Sequence, residues 1–463
     1  MFVGRENELC TLRERLAGDA FEFGVVYGQR RIGKTSLILE AAKDFDHVYF
    51  LAREDTLQNN LAYFSSELAK ALKLPFLPSF GSFDELFDAL EAQVGRRRYC
   101  VIIDEFPFLC KAYPGFVSYF QSLVDRLKRE RVPHTFILSG SDTSFMVDLL
   151  ENRAKPLYQR ATFRMHVRPM VFSDAAKMLA GFDSEDLVRY LSVFGNRPYY
   201  LDKLDKSKSF RENIVGLCFN DNSILVDAPN ITLPIGYGNN SVYVSILGAI
   251  SNHKQKAREI ADATGIDANA ISTYLGRMAE GESVERRETF NGNKKTAYYE
   301  ISDPFMRFYY RLVYPNLALI DRKLGDQVFD MSQSVVEDIV NRGFEEVVIS
   351  YLDELNTKKK LPCVCYPFKR YSASNSKLGR PVEIDGLAES LDGRELVVVE
   401  AKFRDKDVSL EVLEHLKESA SVFAERYERV HYFLFSKKSF SRDLLTAKNE
   451  GTTLVALKDM LAE

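Results

Sequence analysis

The sequence predicts a multidomain α/β protein, and three observations support this. The chain has 463 residues, which is too long for one hydrophobic core and indicates three or four domains. Apolar runs that end in polar residues, at Asp104 and at Ser139, are typical of parallel strands whose carboxyl ends meet at one edge of a sheet. Further strand patterns between helix patterns follow near the end of the chain and predict a second α/β domain.

The stretch Phe23–Ser36, FGVVYGQRRIGKTS, has the pattern of a strand, a glycine-rich loop and a helix. Residues 28–35 match G-x-x-x-x-G-K-[ST], the loop that wraps a phosphate with its backbone N–H groups. Lys34 would reach the β- and γ-phosphates, and the Thr35 hydroxyl would ligate Mg²⁺. The sequence therefore predicts ATP and Mg²⁺ as cofactors, with nucleotide contacts from Gly28, Arg31, Gly33, Lys34, Thr35 and Ser36.

Two carboxylates follow the apolar run that starts at Tyr99. Asp104 would hold the Mg²⁺ together with Thr35, and Glu105 would orient or deprotonate the attacking water. A third run, residues 135–141, ends in Ser139-Gly-Ser, and small polar groups there suit a sensor of the γ-phosphate. The adjacent acids Asp104 and Glu105 favour a protein that hydrolyses the nucleotide over one that only binds it.

Composition excludes several other classes of protein. The formal net charge of −4 argues against a generally basic nucleic-acid-binding protein. The six cysteines form no C-x-x-C pair and are interpreted as free thiols, mostly buried, which is typical of a reducing cytoplasm. Every apolar run is shorter than the roughly 18 to 20 residues that span a bilayer, and the first residues lack a signal-peptide pattern. We expect a cytoplasmic protein with no membrane partner.

The segment FVGRENEL, residues 2–9, precedes the phosphate loop by about twenty residues, and together they resemble prokaryotic AAA-like and signal-transduction ATPases of archaeal type. The resemblance implies an ATPase domain over residues 1–165 and a helical lid over residues 166–240. It further implies that the segment 3–5 borders the adenine, that Arg160 approaches the γ-phosphate in a closed or assembled state, and that Pro198 belongs to a lid turn facing the nucleotide. Asn196 departs from the Gly-Gly-x-Pro pattern of that turn.

Residues 241–315 have the pattern of a winged helix-turn-helix: helices at 242–250, 257–264 and 269–280, then a hairpin at 285–301 with Asn291-Gly292 as its turn. Between Lys254 and Glu300 eight basic side chains face eight acidic ones, which is a weak electrostatic footprint for duplex DNA. The hairpin is the exception, since Arg286, Arg287, Lys294 and Lys295 could hold a phosphate backbone. DNA contact and an intramolecular coupling role both remain open for this domain. The aromatic segment 305–314 is interpreted as a packing helix, with stacking on single-stranded bases as the alternative.

A C-terminal domain at residues 330–463 combines a helix over 334–352 with strands that carry Asp385, Glu400 and Lys402. Glu400 and Lys402 are two residues apart on one strand and share a face, and a turn at Asp392-Gly393 can bring Asp385 beside them. Two carboxylates can hold Mg²⁺, and a lysine can orient the water that attacks a phosphodiester. A hairpin with alternating charges at the edge of a sheet is the structural alternative.

This arrangement resembles the PD-(D/E)xK nuclease core, and the whole chain resembles archaeal-type ATPases that carry such a restriction-endonuclease-like α/β domain. The resemblance places Asp385, Glu400 and Lys402 in an active site, with Asp385 and Glu400 as metal ligands and one helix acid, Glu345 rather than Glu346, as an additional ligand. Pro381 lies four residues before Asp385, so the strict Pro-Asp pair is absent. The helix over 410–427 would cover the sheet.

The expected function is an ATP-hydrolysing switch that controls a Mg²⁺-dependent nuclease acting on DNA, with defence against mobile DNA as an analogy from the domain combination. The alternative is an ATP-dependent DNA-binding regulator or a signalling scaffold whose nuclease-like domain only binds. Expected partners are ATP or ADP, DNA, and a protein partner or further copies of the chain.

Overall fold

The computed structural model describes residues 2–229, 233, 240–291, 297–375, 379–447 and 451–461. The chain divides into two compact units. Unit 1 comprises Met1–Pro169 and Glu280–Glu282, and unit 2 comprises Met170–Ala279 and Ser283–Glu463. Each unit is described by itself below. Within the described residues, no helix combines the length and the apolar character needed to cross a membrane.

Unit 1 contains a five-stranded sheet in the order β2-β3-β4-β1-β5, in which every neighbouring pair is parallel. The strands are β1 (Glu22–Tyr27), β2 (His47–Leu51), β3 (Tyr99–Asp104), β4 (His134–Gly140) and β5 (Phe163–His166). The carboxyl ends of β1, β3 and β4 therefore lie side by side, which brings the phosphate loop, Asp104 and Ser139 to one edge. The predicted parallel-sheet α/β fold is confirmed for this part of the chain.

Helices cover both faces of this sheet, which explains why its strands are apolar without alternation. In β1, Val25 belongs to the core on one face and Val26 to the core on the other, and both are fully buried. The first core is rich in stacked phenylalanines, such as Phe50 and Phe64 with ring centroids 4.4 Å apart. The helices of unit 1 are Glu6–Ala17, Lys34–Ala42, Leu57–Ala71, Phe83–Val94, Phe106–Ala112, Phe116–Glu130 and Thr143–Glu151.

Unit 2 begins with short helices and continues with three helices and a hairpin, in the predicted order. The short helices are Phe172–Met178, Ser184–Phe194, Pro198–Leu201 and Phe210–Cys218, with a 3₁₀ turn at Ile224–Asp227. The next three are Ser241–Ser251, Ala257–Thr264 and Ala268–Glu280, and they precede the antiparallel pair β6 (Val284–Arg287) and β7 (Tyr298–Ile301). Gly265 ends the second of these helices in the left-handed region, with φ 69°. Gly292, Lys294 and Lys295 lie outside the described residues.

The aromatic segment forms consecutive helical turns and packs inside unit 2. Its turns are Pro304–Phe308, Tyr309–Val313, Tyr314–Asn316 and Leu317–Ile320. Phe305, Phe308, Tyr309 and Tyr310 are all at most 3% exposed. The interpretation as a packing segment is therefore confirmed, and stacking of nucleic-acid bases on these four rings is excluded by their burial.

The C-terminal part of unit 2 contains a mixed five-stranded sheet in the order β12-β11-β10-β9-β8. Its strands are β8 (Lys369–Asn375), β9 (Arg380–Glu389), β10 (Glu395–Lys402), β11 (Arg429–Ser436) and β12 (Thr452–Ala456); β8, β9 and β10 are antiparallel, and β10, β11 and β12 are parallel. The helices are Gly325–Met331, Gln333–Thr357, Leu410–Ala424, Arg442–Ala447 and Leu457–Met460.

Two predicted helix boundaries in this part are wrong. The helix predicted over 334–352 runs five residues further, to Thr357. The helix predicted to reach Tyr427 ends at Ala424 instead, because the chain turns there and the Glu428 N–H already donates to the Arg394 carbonyl oxygen, at 2.8 Å, on the way into β11.

Candidate functional site

The phosphate loop of unit 1 depends on backbone conformations with positive φ. These are 148° at Gly28, 65° at Arg31 and 89° at Gly33. A Cβ at Gly28 would lie 2.3 Å from the Val167 carbonyl oxygen, so only glycine is accommodated there. The loop leads from β1 into the helix Lys34–Ala42, whose N-terminal N–H groups suit an anion.

Lys34 lies folded back over this loop. Its Nζ donates to the carbonyl oxygens of Gly28, at 2.9 Å, and Gln29, at 2.8 Å. The side chain is only 6% exposed, and burial lowers the pKa of Lys34 to about 8, against the attraction of Glu105 and Asp104. The ammonium group is therefore positioned so that a bound phosphate can replace the loop carbonyls as its partner.

The two predicted Mg²⁺ ligands of unit 1 lie in direct contact. Thr35 Oγ1 donates to Asp104 Oδ2 at 2.6 Å. The same carboxylate oxygen accepts a hydrogen bond from the Tyr49 hydroxyl at 3.0 Å, and burial followed by the charge of Asp104 raises the pKa of Tyr49. These contacts fit a Mg²⁺ site, because a hydroxyl and a carboxylate converge there beside the phosphate loop.

Glu105 follows Asp104 in the left-handed region, with φ 50°, and this backbone turn directs its side chain to the end of β4. Glu105 Oε2 accepts a hydrogen bond from Ser141 Oγ at 2.9 Å. Ser139 is completely buried, and its hydroxyl has no hydrogen-bond partner among the described residues. Ser141 is thus the serine of this strand end that reaches the candidate catalytic acid.

Arg5 anchors the segment that precedes the first helix. It is 4% exposed, and its Nη2 donates to the carbonyl oxygens of Ile32, at 2.9 Å, and Arg168, at 2.8 Å. These bonds hold the segment 3–5 beside the phosphate loop. A segment that borders the adenine would have to lie in this position. Contact with the base stays a prediction.

The remaining nucleotide-site candidates lie in different settings. Arg160 donates to both carboxylate oxygens of Asp125, at 2.9 and 3.1 Å, and to the Pro156 carbonyl oxygen at 2.8 Å. Ser36 is exposed on the first turn of its helix. In unit 2, Pro198 begins the helix Pro198–Leu201. The roles assigned to these three residues stay predictions.

In unit 2, β9 and β10 place Asp385 beside Glu400. Gly386 pairs with Val399, so the next positions along the two antiparallel strands are Asp385 and Glu400. Asp385 Oδ2 accepts a hydrogen bond from the Ala401 N–H at 2.9 Å. Lys402 forms an ion pair with Glu400, as expected for two residues on one face of a strand.

The helix Gln333–Thr357 directs its two adjacent acids to different partners. Glu346 forms an ion pair with Arg307, whereas Glu345 Oε2 accepts from Arg370 Nη2 at 2.6 Å. Burial and then the charge of Asp385 raise the pKa of both Glu345 and Glu400. Glu345, Asp385, Glu400 and Lys402, the carboxylate cluster, therefore lie within electrostatic reach of one another.

Comparison with known proteins identifies the domain that contains the phosphate loop. A family model described as an ATPase domain predominantly from Archaea matches residues 2–204, which include the phosphate loop, Asp104 and Glu105. Residues 2–204 are an archaeal-type P-loop ATPase domain.

The structure of the Walker-type ATPase paby2304 of Pyrococcus abyssi is similar in fold to part of this chain. It is 17% identical, has a TM-score of 0.52, and covers 67% of this chain and 96% of its own. The uncharacterized protein MJECL04 of Methanocaldococcus jannaschii is 29% identical over 451 residues, which are 96% of this chain and 97% of that protein. A second family model, described as archaeal and bacterial proteins of unknown function, matches residues 309–418 and contains the carboxylate cluster.

Two members of the carboxylate cluster, Glu345 and Asp385, line a cleft of about 560 Å³ in unit 2. Its lining contains four cationic residues, Arg286, Arg287, Lys369 and Arg370, and six acids, Glu288, Glu300, Glu345, Glu346, Asp353 and Asp385. The cationic residues come from β6 and β8. Arg287 is already paired with Glu300 at 2.8 Å and with Glu285 at 3.0 Å.

Sequence reasoning missed three residues of these sites. Tyr49 and Ser141 contact the ATPase acids through hydroxyl groups. Ser141 is the last residue of the predicted sensor run 135–141, but only Ser139 was assigned to the nucleotide site. Arg370 pairs with Glu345 across 25 positions of sequence. Among these, only Ser141 had a usable signal, namely its position at the end of an apolar strand.

Proposed function

We propose that this protein is an ATP-hydrolysing switch whose C-terminal domain is a Mg²⁺-dependent nuclease acting on DNA. The observation that carries the proposal is the carboxylate cluster. One helix and two neighbouring strands supply three carboxylates and a lysine, of which Glu345 and Asp385 line a cleft. The mutual repulsion of the acids favours binding of a divalent cation.

Asp385 and Glu400 are the proposed metal ligands, with Glu345 as an additional ligand once Arg370 releases it. A Mg²⁺ there would stabilise the charge that develops on the phosphodiester, and Lys402 would orient the attacking water. The cationic wall of the cleft, Arg286, Lys369 and Arg370, would hold the DNA backbone. The two strands β6 and β7 thus act as the wing of a winged helix-turn-helix that presents DNA to the nuclease.

In the ATPase domain, Thr35 and Asp104 would hold the Mg²⁺ of the nucleotide, and Glu105 would position the water for attack on the γ-phosphate. We infer that ATP binding and hydrolysis set whether the nuclease is active, because both activities belong to one chain. Defence against mobile DNA is a prediction from this combination, and a plasmid-transformation assay with Lys402→Ala tests it.

The test is cleavage of plasmid, linear duplex and single-stranded DNA with Mg²⁺ or Mn²⁺, in the presence of no nucleotide, ADP, ATP or a non-hydrolysable analogue. Wild type is compared with Lys402→Ala, Lys34→Ala and the control Lys438→Ala, an exposed lysine of unit 2. We expect Lys402→Ala to cleave DNA at least about 100-fold more slowly than wild type and Lys438→Ala to cleave at the wild-type rate. Cleavage by Lys34→Ala should no longer depend on the nucleotide.

A second candidate function is an ATP-dependent DNA-binding regulator or signalling scaffold. The ion pairs of Glu345 with Arg370 and of Glu400 with Lys402 favour it, because they neutralise the cluster without a metal. ATP hydrolysis without cleavage of any substrate would establish this candidate and refute the nuclease. Cleavage that is identical in every nucleotide state would refute the switch.

A further inference from the structure

A group of side chains that could ligate a metal ion lies at the other end of β10. Cys363, Glu395 and His431 each offer a ligand atom, and these three atoms all lie within 4.8 Å of one another. His431 Nε2 and Glu395 Oε2 are 2.6 Å apart. The three residues come from separate segments, which are the chain before β8, the first residue of β10 and the third residue of β11.

Cys363 lies at a bend, and the chain that follows it is held beside the end of β9. Cys365 forms an antiparallel bridge with Ser390, and the Tyr366 N–H donates to the Glu389 carbonyl oxygen at 2.8 Å. The Asn356 side chain accepts from the Cys365 N–H and donates to its carbonyl oxygen, each at 2.9 Å. These contacts fix the backbone of Cys365, whose Sγ donates to the Cys363 carbonyl oxygen at 3.5 Å.

The two thiols are spaced like ligands of one metal ion. Their Sγ atoms lie 3.5 Å apart, whereas a disulfide would require about 2.05 Å. Two Zn–S bonds of about 2.3 Å at the tetrahedral angle place the sulfur atoms roughly 3.8 Å apart. The observed separation is close to the second value.

This group is distinct from the carboxylate cluster. Glu395 and Glu400 are five residues apart on β10, so they lie roughly 17 Å apart and on opposite faces of the sheet. The donor chemistry also differs, because the cluster offers oxygen and amine groups to a hard cation. Thiolate and imidazole ligands select Zn²⁺ over Mg²⁺.

We propose that Cys363, Glu395 and His431 bind a structural Zn²⁺, with Cys365 beside Cys363 as the nearest thiol to the fourth ligand position. The ion would connect the chain before β8 to β10 and β11. It would thereby fix the start of the segment that continues into Lys369 and Arg370, two residues of the cleft wall.

The experiment is metal analysis of the full-length protein without a histidine tag, stripped with chelator, dialysed against Zn²⁺ under reducing conditions and washed. We expect about one zinc per chain in wild type and less than about 0.2 in Cys363→Ser and in His431→Ala. Two controls should keep about one zinc: Cys10→Ser, which removes an exposed thiol of unit 1, and Asp385→Asn with Glu400→Gln, which removes the carboxylate cluster.

Substitution of a ligand can also disturb folding, so a second measurement uses wild type alone. Titration with Co²⁺ should produce a thiolate-to-metal charge-transfer band that stoichiometric Zn²⁺ abolishes. The proposal is overturned if wild type retains no zinc, if Cys363→Ser and His431→Ala retain as much as wild type, or if bound Co²⁺ shows no thiolate band.

Discussion

The nucleotide site of the ATPase domain and the carboxylate cluster of unit 2 contain the same kinds of side chain but balance their charges differently. In the ATPase domain, Lys34 is held by two backbone carbonyl oxygens, and Asp104 is held by two hydroxyl groups. In the cluster, Lys402 and Arg370 are ion-paired with the acids themselves.

This difference indicates how each site responds to its ligand. Two neutral acceptors hold the ATPase lysine at the phosphate loop, so phosphate binding would exchange one set of oxygen atoms for another. Under the proposed function, the cluster would have to give up ion pairs before its carboxylates could hold a metal, and a regulatory movement that breaks these pairs would switch it. Three predictions test the contrast.

The largest expected effect is that of Glu105→Gln on ATP hydrolysis. The amide cannot accept the proton of the attacking water, so we expect the hydrolysis rate to fall by about 100-fold or more, with ATP affinity within about threefold of wild type. Steady-state phosphate release and nucleotide titration measure the two quantities. The matched change in the carboxylate cluster, Glu400→Gln, should leave the rate of ATP hydrolysis within about twofold of the wild-type rate. An equal loss of ATP hydrolysis in both variants would contradict the division into two chemical sites.

The second prediction is a pH dependence of ATP binding that originates in Lys34. Its pKa is about 8 in the nucleotide-free protein, and only the charged form attracts the triphosphate. Binding therefore favours the protonated lysine, and affinity should fall as the pH rises above 8, by about tenfold at pH 9 relative to pH 7.

Equilibrium titration with a fluorescent ATP analogue between pH 6.5 and 9.5 measures this effect. Lys34→Arg, whose side chain stays charged throughout, should show a flat profile whatever its absolute affinity. A wild-type profile that is equally flat over this range would show that the lysine in solution does not experience the desolvation seen in the structure.

The two sites also differ in how far the sequence predicts them. The phosphate loop is one continuous segment, and its glycines are required by local backbone geometry, so a short motif predicts both its structure and its chemistry. The apolar run ending at Asp104 likewise indicates a buried parallel strand. The sheet order, with β4 between β1 and β3, does not follow from any local pattern, because it depends on how the connections cross the sheet.

The cluster depends on pairings that are distant in sequence. Alternation along β10 predicts that Glu400 and Lys402 share a face, and the Asp392-Gly393 turn predicts the approach of Asp385. The ion pairs of Glu345 and Glu346 with Arg370 and Arg307 could not be predicted, since nothing local indicates which arginine a helix acid will meet. The same holds for Cys363 and His431, which are 68 positions apart. They meet because Cys365 bridges to Ser390, shortly before β10, and because β11 pairs with β10.

The smallest expected effect is that of Ser141→Ala. Ser141 Oγ donates to Glu105 Oε2 at 2.9 Å, so its removal frees the carboxylate to rotate without removing the base. We expect kcat for ATP hydrolysis to fall by about three- to tenfold, or about 0.7 to 1.4 kcal/mol, with little change in KM. The loss is smaller than the full value of a hydrogen bond to a charged group, because the Ser141 N–H still donates to the same oxygen at 3.4 Å. The control is Ser122→Ala, whose hydroxyl bonds only the Ser118 carbonyl oxygen of its own helix. If kcat for Ser141→Ala equals that of the control, the Ser141 hydroxyl does not position Glu105. The left-handed backbone conformation of Glu105 would then be sufficient to direct its carboxylate toward the γ-phosphate.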